Sequence, residues 1–153
     1  MKTLNGFMVT LLLVGFITDR NLAQSSSSTT GTLLVMVQGF DNTEGELLVA
    51  LYNEQEQFMD GTPTKGARQV IKASEELVTF ENVPYGHYAV VVLQDLNKDS
   101  EMGKNCFGIP TEGYGFSNNA MGSYGPPSFE QASFAFANRY QTKIIDLHYG
   151  IPK

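Results

Sequence analysis

FENVPYGHYAVVVL, residues 80–93, is the stretch that decides the fold. Pro84 pre-sets its own φ and Gly86 tolerates φ > 0, so the pair marks a tight turn. Beyond it Tyr88, Val90 and Val92 share one face of an extended chain, and Ala89, Val91 and Leu93 share the other. Apolar residues on both faces predict a central strand covered from both sides. Working outward, Leu33, Val35 and Val37 alternate with Leu34, Met36 and Gln38, and Leu47, Val49 and Leu51 alternate with Leu48, Ala50 and Tyr52. The turn-rich 39–45 between them reads as the bend of a hairpin. Residues 68–73, 77–80, 132–137 and 143–149 supply further strands, and residues 53–66 read as a helical turn or a covering loop around Phe58-Met59. No stretch holds a helical period for ten or more residues. About seven short strands without a repeat predict an all-β sandwich.

The ends of the chain set its surroundings. Lys2, the apolar run Phe7–Ile17 and a polar segment reaching Ala23 have the three-part layout of a secretory signal peptide. A membrane span takes ~20 apolar residues, more than this run offers. Residues 1–24 are therefore expected to be a cleaved signal, 25–31 a disordered polar spacer and 32–150 the domain, with a secreted or periplasmic destination. The formal net charge is −6, and loss of Lys2 and Arg20 with Asp19 deepens it. Such a surface repels phosphate backbones, which excludes nucleic acid and anionic membranes as partners. Cys106 is the only cysteine, so no intramolecular disulfide can form and the core must hold itself together. Beside Phe107, that thiol is expected to be a small buried hydrophobe.

A phenylalanine followed by Asn-Val-Pro-x-Gly-x-Tyr-x-Val-x-Val is similar to the turn-and-strand signature of prealbumin-like and carboxypeptidase-regulatory-like sandwiches. The wider pattern resembles the bacterial domain-of-unknown-function family 2141. It comprises Gly45–Tyr52, Pro84–Val92, Asp95-Leu-Asn-Lys-Asp99, Asn105, Phe107-Gly-Ile-Pro110, Glu112-Gly-Tyr-Gly-Phe-Ser-Asn-Asn119 and Pro126-Pro-Ser-Phe129, within a match from about Leu33 to Tyr149. The resemblance implies an exported Ig-like (prealbumin-like) sandwich and no established activity.

Two segments can carry function. Asp95, Asn97, Asp99 and Glu101 place oxygens at alternate positions where the central strand ends. That is how EF-hand-type loops begin, and Asn105 or Glu112 can complete a Ca²⁺ shell. The departures are Ser100 at the EF-hand glycine, Cys106 at its bidentate glutamate, and Gly103 where the resembling family tends to carry aspartate. Calcium and a plain Asx-rich turn both stay open. The oxygen-only set disfavours zinc and copper. The second segment, Phe107–Phe129, is too rich in glycine and proline for one helix or strand and too aromatic for a linker. It is expected to be a long ordered loop whose aromatics cover the sandwich. The sharper alternative is a shallow glycan- or peptide-binding surface made by Tyr114, Phe116 and Tyr124 with Asn118 and Asn119. The acidic loop is expected to fix where this segment begins.

A hydrolase would draw on Cys106 with His87 or His148, but no nucleophile motif surrounds them. The expectation is a non-catalytic binding or accessory module, with a purely structural exported domain as the alternative.

Overall fold

The computed structural model describes residues 29–150. The expected signal peptide and the first residues of the spacer lie outside them. Eight strands are present among the described residues: β1 (Thr30–Gln38), β2 (Glu46–Tyr52), β3 (Lys65–Val70), β4 (Glu75–Pro84), β5 (Gly86–Asp95), β6 (Tyr114–Phe116), β7 (Phe134–Phe136) and β8 (Tyr140–Asp146). They form two sheets, β4-β1-β8 and β3-β2-β5-β6, with β7 paired to the first residues of β5. The all-β sandwich expected from the sequence is what the chain builds.

The inward residues are those the alternation marked. Leu33, Val35 and Val37 of β1 meet Leu47, Val49 and Leu51 of β2, Val78, Phe80 and Val83 of β4, and Tyr88, Val90 and Val92 of β5 in one buried cluster. Full burial of one such side chain is worth about 1.5–3 kcal/mol. A few of them outweigh the ~2–4 kcal/mol of a disulfide, which this chain lacks the second cysteine to form.

Strand partners depart from the sequence reading. β1 and β2 are not a hairpin: β1 pairs β4 antiparallel and β8 parallel, whereas β2 pairs β3 and β5. The 39–45 connection crosses from one sheet to the other, with Gly39 and Gly45 both at positive φ. The Pro84–Gly86 turn crosses in the same way, since β4 and β5 lie in different sheets. β1 begins inside the expected spacer, where Thr30 and Gly31 pair with Pro84 and Val83. The weak strand expected over 68–73 is the edge strand β3, shifted toward its N-terminus. Of residues 132–137, Ala132 closes the helical turn α1 (Phe129–Ala132) and 134–136 form β7. Ser128 caps α1 through reciprocal bonds with Gln131. β6 is a strand that glycine and proline content had hidden.

β5 is covered on both sides, as its sequence predicts. Behind the second sheet, Ala89 packs in a smaller cluster with Tyr52, Phe58, Phe116 and Ala132. Phe58 follows a 3₁₀ turn (Gln55–Gln57) and is the hub, its ring 5.7 Å from Tyr52, 6.4 Å from Phe116 and 5.7 Å from Phe129. The glycine–aromatic segment thus lies along the outer face of this sheet, and part of its aromatic content is core.

A buried polar knot ties the 39–45 crossing to the end of β5. The fully buried Gln94 donates through Nε2 to Asn42 O (3.2 Å), Asn42 Oδ1 (3.0 Å) and Glu44 O (3.0 Å). Its Oε1 accepts from the Tyr149 hydroxyl, which in turn accepts from the Asp41 N–H. Burial pushes the Tyr149 pKa up, the Asp41 N–H bond lowers it and the Asp41 charge raises it, for a net rise.

Candidate functional site

Asp95 ends β5 fully buried. Its Oδ1 accepts from the Lys98 N–H (2.7 Å) and its Oδ2 from the Ser100 N–H (3.0 Å). Asn97 Oδ1 accepts from the Asp99 N–H, Asn97 Nδ2 donates to Asp99 Oδ2 (2.7 Å), and Asp99 Oδ1 accepts from the Glu101 N–H (2.8 Å). Lys98 and Ser100 sit at positive φ, which turns the loop in on the Asp95 carboxylate. Arg68, on β3, donates to Ser100 Oγ and to Glu46. The loop closes on its own backbone. Asn105 stands apart from it, accepting through Oδ1 from the N–H groups of Phe107 (2.9 Å) and Ile109 (3.0 Å). Among the described residues, no group of three or more His, Cys, Asp or Glu side chains is gathered as a metal set.

Glu112 joins the acidic loop to the glycine–aromatic segment. Buried, it accepts from the Leu96 N–H through Oε1 and from the Gly103 N–H through Oε2, both at 2.8 Å. These bonds seat a finger, residues 103–111, whose arms are joined by Thr111 N–H to Gly103 O (2.9 Å) and Asn105 N–H to Ile109 O (2.9 Å). Cys106, Phe107 and Gly108 are its tip. Cys106 is exposed, contrary to the buried hydrophobe expected. The Asn105 side chain turns the chain there, so Phe107 is 84% exposed and no longer draws its neighbour inward.

A second tight tip faces solvent at Gly122–Gly125, which bridge each other and leave Tyr124 fully exposed. A cleft of about 470 Å³ is lined from the finger, from β6 and from the base of this tip. Its walls include Met59, Met102, Ile109, Tyr114, Phe116 and Met121. Tyr114 and Phe116 are thus brought together on the cleft, their rings 6.0 Å apart. Asn118 and Asn119 do not line it. Asn118 donates to Gln131 O and Ser133 O and accepts from Lys143 Nζ. Asn119 takes the edge of β8, bonding the Asp146 carboxylate (2.6 Å) and the Asp146 N–H (3.0 Å). Both have positive φ, a conformation asparagine tolerates better than most residues. Burial lowers the pKa of Lys143, whose Nζ lies 4.2 Å from the centre of the Phe134 ring.

Three of the six methionines line the cleft; of these only Met59 stands out in the sequence, as part of the apolar pair Phe58-Met59. The available signal was methionine set in polar or glycine-rich loops, where no periodicity calls for it. His87 pairs with Ala135 at the start of β5, whereas the finger carrying Cys106 is anchored at the other end of that strand. His148 exchanges backbone hydrogen bonds with Tyr114, 2.9 and 2.7 Å.

The fold and cleft define a class: a two-sheet β-sandwich with an apolar groove built by loops beyond its central strand. The chain belongs to domain-of-unknown-function family 2141, described as an uncharacterized protein conserved in bacteria, whose family model matches residues 35–144. Comparison with curated proteins and with solved structures gives no match to either.

Proposed function

We propose that the chain is a non-catalytic binding module of the cell envelope or exterior, and that the cleft between the finger and the 122–125 tip is its binding site. The observation that carries this reading is the cleft's apolar lining. Protein pockets for small ligands have volumes of ~300–1,000 Å³ and mostly apolar walls, and a cleft of about 470 Å³ walled by three methionines, Ile109 and two aromatic rings is of that kind. Methionine is unbranched and polarizable, so it adapts to ligands of varied shape. The signal-like N-terminus supports export.

A fluorescent hydrophobic probe such as N-phenyl-1-naphthylamine is expected to bind saturably. The rim variant Ile109→Gln with Met121→Gln, both at partly exposed positions, should weaken it about five- to ten-fold. Unchanged affinity in a folded variant would remove the cleft from the reading.

The acidic loop is read as a strut that hydrogen-bonds itself, supported by the N–H groups already on Asp95 and Asp99. Melting in millimolar calcium and in EDTA is then expected to give one temperature. A calcium-dependent rise that Asp95→Asn abolishes would instead assign the loop to Ca²⁺, the occupant its oxygen spacing suggests.

A further inference from the structure

Resting on the cleft reading, we infer that the ligand is an amphiphile with one negative charge, an aliphatic chain ending in a carboxylate. Lys104 is the only charged side chain among the lining residues. It stands on one arm of the finger, bridged through its backbone to Pro110 on the other. The ion pairs present among the described residues involve Arg68, Lys98 and Glu46, and Lys104 takes part in none. The nearby acid, Glu112, is buried behind the finger with its oxygens on the Leu96 and Gly103 N–H groups. The rim therefore carries one lysine, outside the ion pairs present among the described residues, beside an apolar trough. A single cation matches a single negative charge, whereas a phosphate dianion is held by several donors or a bidentate arginine. The chain's overall acidity works against anions at long range, but salt screens that repulsion beyond ~8 Å at physiological ionic strength.

The test uses dodecanoate, dodecanol and dodecyltrimethylammonium, each below its micelle concentration or, for dodecanol, its solubility limit, displacing the naphthylamine probe from the whole folded protein. Dodecanoate is expected to bind about two- to five-fold more tightly than dodecanol, the range of an exposed ion pair. The cationic amphiphile is expected to bind most weakly. Lys104→Met should abolish the preference for dodecanoate over dodecanol. Equal affinities in the unaltered protein, tighter dodecanol, or a carboxylate preference that survives Lys104→Met would overturn the assignment of charge and leave the cleft standing. If neither the probe nor any amphiphile binds, the cleft reading falls and this inference with it.

Discussion

Glu112→Ala should lower the unfolding free energy by about 3–4 kcal/mol, since two hydrogen bonds to a charged acceptor contribute roughly 1.5–3 kcal/mol each and some relaxation is available. Urea denaturation measures it as a fall in midpoint at constant slope. The loss comes from the donors left behind. The N–H groups of Leu96 and Gly103 both point at this one side chain, 2.8 Å from its two oxygens, and alanine offers neither an acceptor. Glu112→Gln keeps one acceptor and presents an NH₂ to the other N–H, so it should fall between. Because Glu112 seats the finger, limited proteolysis within 103–111 should accelerate in both variants and probe binding should fall with it. A loss below about 1 kcal/mol would show that water replaces the carboxylate freely.

The second large effect is expected at Gly45. A Cβ there would fall on the Asp95 carbonyl oxygen and lie 2.8 Å from Leu96 Cα, with φ at +78°. These neighbours are backbone and cannot turn aside. The left-handed conformation costs a non-glycine residue about 1–2 kcal/mol, and forced overpacking adds about 1–3, so Gly45→Ala should cost about 2–5 kcal/mol. Gly108 is the control. Its φ of +76° is nearly the same, but nothing lies within 4 Å of its Cβ position. Gly108→Ala should therefore cost only the conformational part, about 1–2 kcal/mol. Equal losses at the two sites would show that the Asp95 backbone gives way.

Gly45 also explains where legibility ended. The alternation in β1 and β2 correctly marked inward faces, because burial imposes period two whatever the partner. It is silent on whether two such strands hydrogen-bond side by side or face each other across the core. What sends β1 and β2 into different sheets is the 39–45 crossing, held by Gln94 and by a glycine pressed onto Asp95. Those contacts are long-range and leave no local pattern. The double-faced burial of β5 was legible because it is local.

In the candidate site, the oxygen spacing of 95–101 was legible as a turn or a cation loop, and Asp95, Asn97 and Asp99 each accept a backbone N–H within it. The exposure of Cys106 departs from what Phe107 beside it suggests, because the Asn105 side chain turns the chain at that point. The methionines of the cleft come from residues 59, 102 and 121. They are far apart in sequence, so only tertiary packing brings them together.

The parallel pairing of β1 with β8 carries a consequence for how the molecule is made. Gln38 bonds Asp146 across a separation of 108 residues, so the first strand to emerge waits for nearly the last. Contacts this distant slow folding. A chain lengthening from its N-terminus can pair one edge of β1 with β4 early, and closes the other edge only when β8 follows.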